Sequence, residues 1–293
     1  MALLSSLVPE GEVSIPEFLF VLVAILVSAK LLGELAERLG QPAVLGELLA
    51  GVVVGVSGLR VVDPTLPILQ LLAELGVILL LFEIGLETDL RRLLRVGGES
   101  ALVALAGVAL PFALGYGIAR GVGLPTLPAL VAGAALTATS VGITARVLSD
   151  LRRLQDPEGQ IILGAAVIDD VIGLVILATV AELVGGARVT PAGVARTAAA
   201  AFGFLALAVL AGRLVVPPLF ARLARLGRPD TLATMALALA FLLAYLAHGA
   251  GSAVIIGAFA AGLVLARTPQ AGTIARGVAH LGHFFVPIFF VAV

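Results

Sequence analysis

Apolar stretches of about 20 residues recur along the whole chain, each long enough to cross a hydrocarbon core of about 30 Å as a helix. That single feature excludes most architectures. Runs such as Ala101 to Ala119 are apolar on every side, whereas a transmembrane barrel needs shorter segments of alternating polarity. The chain is therefore expected to be all-α and polytopic. Its 60% hydrophobic and 13% charged residues over 293 positions lie far from the roughly 25% charge of soluble domains. With no cysteine, disulfide and thiol chemistry are absent from the possibilities.

Proline, glycine and charge clusters delimit ten predicted spans, at roughly 16–39, 43–57, 66–86, 99–120, 127–149, 159–184, 192–216, 229–247, 251–266 and 271–293. The second and ninth are short. The connections are too brief to hold a soluble domain, so residues 1–293 read as a single transmembrane domain. Phe284 to Val293 is still apolar with no polar stop after it, which leads to the expectation that the chain is the leading part of a longer protein, incomplete at its C-terminus.

The distribution of the 18 Lys and Arg residues tests these spans. Assigned to alternate sides, 14 fall after odd-numbered spans, among them Arg91, Arg92, Arg95, Arg146, Arg152 and Arg153. The other 4 are Arg60, Arg120, Arg188 and Arg196. Positive charge marks the cytoplasmic side, so the odd loops are expected inside and the N-terminus outside a cell (inner) membrane. Glu10, Glu12 and Glu17 make the N-terminal segment acidic, unlike the basic start of a cleaved signal peptide, and it is expected to be retained.

A charge at the centre of a span costs about 2.5–3.5 kcal/mol on insertion scales, so deep ionisable groups point to function. Glu47, Glu74 and Glu83 lie toward the ends of their spans, where interfacial placement and function account for them equally well. Asp169 and Asp170 sit at the middle of theirs. Together they cost about 5–7 kcal/mol unless protonated, paired or cation-bound. As helix neighbours they point about 100° apart, so one can face an ion while the other faces a different partner. At the same depth in the preceding span, Thr137-Ala138-Thr139-Ser140-Val141-Gly142 interrupts an apolar run. Hydroxyls and freed carbonyls at an unwound membrane helix are oxygen ligands suited to an alkali cation; the same hydroxyls can also bond back to their own helix.

Several stretches carry a family resemblance: Gln41-Pro42-Ala43-Val44-Leu45-Gly46-Glu47; Leu72-Ala73-Glu74-Leu75-Gly76 leading to Phe82-Glu83-Ile84-Gly85-Leu86-Glu87; Thr137-Ala138-Thr139-Ser140; Ala166-Val167-Ile168-Asp169-Asp170; Ile256-Gly257-Ala258-Phe259-Ala260-Ala261-Gly262; and Pro287-Ile288-Phe289-Phe290. In this order the chain resembles bacterial sodium/proton antiporters of the monovalent cation:proton antiporter-2 family, with a Kef- or NapA-like membrane domain. The resemblance implies an inverted-repeat fold with a discontinuous helix and a homodimer with an elevator-like core. It implies that Asp170 takes the main cation and proton role, that Asp169 is the second carboxylate, and that Thr139 and Ser140 line the ion site. On this resemblance the two carboxylates hold transported Na+ or H+, with no cofactor and no nucleic-acid partner. The chain is then a transporter and not an enzyme. An aspartate at position 169 favours sodium and electrogenic exchange, because relatives neutral there tend toward electroneutral or potassium exchange.

The chain departs from the family in lacking any match to the later helices that follow Phe289-Phe290, which include a lysine pairing with an aspartate and a second broken helix. Lys30 is the only lysine. Three rival readings remain: a K+/H+ antiporter, an intramembrane aspartyl protease, and a noncatalytic membrane sensor or subunit. The protease requires acids on separate helices and a Gly-x-Gly-Asp stretch, and neither is present.

Overall fold

The computed structural model describes residues 14–184, 190–225 and 229–292. Glu10, Glu12, Arg188 and Arg228 lie outside the described residues. The elements are α1 (Ile15–Arg38), α2 (Ala43–Val54), α3 (Pro67–Glu87), α4 (Leu90–Arg95), α5 (Gly97–Gly121), α6 (Thr126–Thr137), α7 (Val141–Asp150), α8 (Pro157–Val184), α9 (Pro191–Ala224), α10 (Pro229–Gly249), α11 (Val254–Leu265) and α12 (Ala271–Ala292). No strand occurs among the described residues, in keeping with the all-α expectation.

Among the described residues, seven helical segments are long and apolar enough to cross a membrane, with α6 and α7 together forming one of them. The helix α8 is also long, at 28 residues, and carries both aspartates. With 12 residues each, α2 and α11 extend only about 18 Å, less than a hydrocarbon core. The seventh span continues past 216 to Ala224, so Arg222 is helical and not a loop residue. Arg213 and Arg146, assigned above with the loops, lie inside α9 and α7. The short α4, capped by Asp89 through the Arg91 N–H at 2.8 Å, holds Arg91, Arg92 and Arg95.

Lipid is as apolar as a leucine side chain, so burying large side chains gains little; close backbone approach between small residues holds membrane helices together. In α10 the buried stripe is Ala233, Ala236, Ala240, Ala244 and Ala247, while Phe241, Leu242, Tyr245 and Leu246 are exposed. In α5, Ser100, Ala104, Gly115 and Ala119 are turned inward and Leu102, Leu105, Leu110, Leu114 and Ile118 outward. The pattern in α1 is the same, with Ala29, Gly33 and Ala36 inside.

Contacts group the chain into two compact units, one holding residues up to Val77 together with those from Leu281 onward, the other Ile78–His280. In the first, Val21, Ile25 and Ala29 of α1 pack with Ala50 and Val54 of α2, Leu69 of α3, and Ile288 and Val291 of α12. In the second, α8 is packed on α5, α6, α7 and α9. Ser100 of α5 donates to the Ile161 carbonyl of α8 at 3.2 Å.

One helix-pair contact occurs in both units. A Cβ on Gly46 of α2 would lie 2.0 Å from the Leu32 carbonyl oxygen and 2.5 Å from the Gly33 nitrogen of α1. A Cβ on Gly257 of α11 would lie 2.2 Å from the Leu243 oxygen and 2.6 Å from the Ala244 nitrogen of α10, at identical separation along the chain. Five residues on, Gly51 abuts the Val291 oxygen of α12 and Gly262 the Phe82 oxygen of α3. Such recurrence is the local signature of a repeat-built transporter. Placing a β-branched side chain there forces backbones apart, so Gly46→Val and Gly257→Val should each destabilise by about 1–3 kcal/mol. Gly107→Ala, at a position with open space, should be close to neutral. Thermal unfolding of the purified protein in detergent checks this, and equal melting temperatures for all three would refute it.

Candidate functional site

The expected fifth span is interrupted where its hydroxyls cluster. α6 ends at Thr137, Ala138 is extended (φ −66°, ψ 112°), and Ser140 (φ −80°, ψ 103°) restarts the helix as N-cap of α7. The Ser140 hydroxyl accepts from the Ile143 N–H at 3.3 Å, satisfying one of the donors a helix start leaves open. The Thr137 hydroxyl donates to the Ala134 carbonyl at 2.8 Å, and that of Thr139 to the Thr137 carbonyl at 3.3 Å. Two half-helices thus meet end to end, carbonyls from one side and N–H groups from the other, with opposite dipole ends facing the gap.

Beside the break α8 runs without interruption. Asp169 is 9% exposed and Asp170 is half-buried. One oxygen of Asp169, Oδ1, is buried with no hydrogen-bond partner, and the Thr139 hydroxyl interacts with the same carboxyl group. The two carboxyls also lie within electrostatic reach of each other.

A cavity of about 330 Å³ joins these parts. Its lining includes Thr137, Ala138 and Thr139 from the break, Asp169, Asp170 and Gly173 from α8, and Ala253 and Ile255 at the start of α11. Three of the four predicted site residues, Thr139, Asp169 and Asp170, therefore share one cavity. The fourth, Ser140, is not among its lining residues and has its hydroxyl engaged in capping α7. Glu47, buried in α2, exposed Glu74 and partly buried Glu83 do not line it.

Sequence reasoning missed Gly173, Ala253 and Ile255. The signals were present: Gly173 follows Asp170 by one helical turn, and Gly249-Ala250-Gly251-Ser252 marks a second interruption. Gly251 there has φ +76°, a left-handed conformation natural to glycine. Among the described residues no three His, Cys, Asp or Glu side chains come together as a metal cluster. A cation in this cavity would be held by two carboxylates supplemented by hydroxyl and backbone oxygens, the ligand type suited to alkali ions at broken membrane helices.

Fold and cavity together define a polytopic membrane protein with paired intramembrane carboxylates facing a broken helix. Residues 21–293 match the model of the family described as "Sodium/hydrogen exchanger, transmembrane", and the chain belongs to that family. A high-affinity Na+/H+ antiporter of Synechocystis sp. is 40% identical over 93% of this chain and 66% of its own length. A Na+/H+-K+ antiporter of Bacillus cereus is 37% identical over 94% of this chain and 71% of its own length. The solved structure of a sodium proton antiporter from Methanocaldococcus jannaschii superposes with a TM-score of 0.68 at 19% identity, covering 94% of this chain and 70% of that one. It shares the fold. The chain thus spans about two thirds to seven tenths of the length of these relatives.

Gly173 has open space where a Cβ would sit and lines the cavity, so Gly173→Leu should fill the cavity without disturbing helix packing. Because the chain has no native cysteine, a single Thr139→Cys reports access to the break. Labelling by a small water-soluble thiol reagent should be fast in the parent and strongly slowed by Gly173→Leu. Equal rates would show that water reaches the break by another route.

Proposed function

We propose that this protein exchanges Na+ for H+ across the membrane by alternating access, with both ions competing for the oxygens of Asp169 and Asp170. The observation that carries the reading is the meeting of Asp169, Asp170 and Thr139 at one cavity beside a broken helix. A carboxylate pair withdrawn from water needs either protons or a cation, so occupation by one favours release of the other. Asp170 takes the principal cation and proton role, Asp169 is the second carboxylate, and Thr139 with the Thr139–Ser140 backbone supplies the remaining oxygens. Coupling follows from shared ligands: with the cavity open to one side sodium displaces protons, and with it open to the other protons displace sodium.

The relatives from Synechocystis sp. and Bacillus cereus, a high-affinity Na+/H+ antiporter and a Na+/H+-K+ antiporter, support this reading. The second of them also supports potassium as an alternative cation. The exchanger is placed in the cell inner membrane with the N-terminus outside, on the strength of the Lys and Arg asymmetry, and acts as a homodimer. The family resemblance, through the aspartate at position 169, favours electrogenic exchange.

Everted vesicles containing the full-length protein are expected to show sodium-induced dequenching of a ΔpH dye. Asp170→Asn should abolish the response, and unimpaired exchange in that variant would remove Asp170 from the mechanism. Asp169→Asn should keep exchange but weaken its dependence on membrane potential. A response to potassium with none to sodium would decide for the alternative cation.

A further inference from the structure

The half-helix α7 carries a second polar assembly at the end away from the break. Arg146 Nε lies 3.0 Å from Asp150 Oδ1, with the two side chains only 23% and 18% exposed. On α3, Glu83 and Glu87 are one turn apart, and both lie within electrostatic reach of the same guanidinium. The Ser149 hydroxyl is 3.5 Å from Glu87 Oε2. The Gln155 amide donates to the Glu87 carbonyl oxygen, and Arg92 of α4 donates to the Gln155 carbonyl at 3.2 Å. Glu83 Oε1 and Asp150 Oδ2 are buried without hydrogen-bond partners. One guanidinium therefore lies among three carboxylates, of which Glu87 is exposed while Glu83 and Asp150 are largely covered, and removing it leaves those two short of a countercharge, an unfavourable state.

A ten-residue helix has little stability of its own and is about 15 Å long, so its position depends on its packing against α8 and on what holds its two ends. One end starts at Ser140, next to the Thr139 hydroxyl that meets Asp169. The other carries the Arg146 assembly. We propose that Arg146 is a positioning residue. Paired with Asp150 on its own helix and within electrostatic reach of Glu83 and Glu87 on α3, beside the Ser149–Glu87 contact between the two helices, it fixes the far end of α7 and thereby sets the distance of the Thr139–Ser140 break from Asp169 and Asp170. This inference rests on the cation-exchange reading and gives a mechanical role to a cation that otherwise only marks topology.

The test uses the full-length protein in proteoliposomes. Arg146→Gln should raise the apparent KM for sodium roughly tenfold with the maximal rate largely retained. Arg146→Lys, which keeps the charge but not the planar fork, should fall between. Adding Glu83→Gln to Arg146→Gln removes a carboxylate left without its cation and should restore most of the KM. Additive defects in the double variant, or a loss of maximal rate at unchanged KM, would overturn the proposal.

A second arm does not depend on transport: a single Ala138→Cys in this cysteine-free chain, labelled with a maleimide. Its labelling rate should change with Arg146→Gln and return in the double variant; an unchanged rate overturns the proposal even if exchange is altered. A parent protein with no flux of any cation would refute the exchange reading, and the labelling arm would still decide Arg146. If Arg146→Gln does not fold, Glu83→Gln alone should shift both KM and labelling, and parent-like values for it count against the proposal.

Discussion

A backbone inside hydrocarbon has no water to satisfy its N–H and C=O groups, so each segment must close its hydrogen bonds internally or line a cavity. This constraint sets the helical architecture and confines irregular backbone to particular places. The described interruptions at 138–140 and 250–253 both border the cavity that contains the aspartates. Along α5 and α10 the inward faces are largely alanine, glycine and serine, with leucine and phenylalanine turned outward. The weak driving force for helix association in lipid makes those small faces decisive. They explain why a Cβ at Gly46 or Gly257 would overlap neighbouring backbone.

The same constraint gives the candidate site its chemistry. A continuous helix at residues 126–150 would have consumed its own carbonyls, leaving Asp169 and Asp170 opposite an apolar wall. Because α6 stops at Thr137 and α7 restarts after Ser140, Thr137, Ala138 and Thr139 of the break share one cavity with the two aspartates. The carboxylates alone are costly in lipid and the break alone is a weak signal; their meeting is what supports the cation site proposed above.

Rigidity around this cavity is uneven. α8 is long, continuous and tied to α5 through Ser100. α7 is short, packs on α8 and carries the largely covered Arg146–Asp150 pair at its far end. On the positioning role proposed for Arg146, electrostatics at that end gain leverage over the geometry of the site.

Much of this was legible in the residues. Apolar length gave the all-α class because hydropathy and span length are properties of the chain itself. The depth of Asp169 and Asp170 and the hydroxyl cluster at 137–140 followed from counting along predicted spans. The motifs that carry the family resemblance were readable in order, and the match of residues 21–293 to the sodium/hydrogen exchanger family agrees with them. Other features depended on neighbours distant in sequence. Only packing showed Ala253 and Ile255 facing the aspartates, Ser140 engaged in capping α7, and Arg146 drawn into α7 beside Glu83 and Glu87. The amino-acid sequence by itself determined the all-α class and the multi-pass membrane character, because transfer free energy is summed locally. The tertiary structure alone decided which oxygens share a cavity and which cation balances which carboxylate, because those interactions depend on distances between helices that no local sum contains.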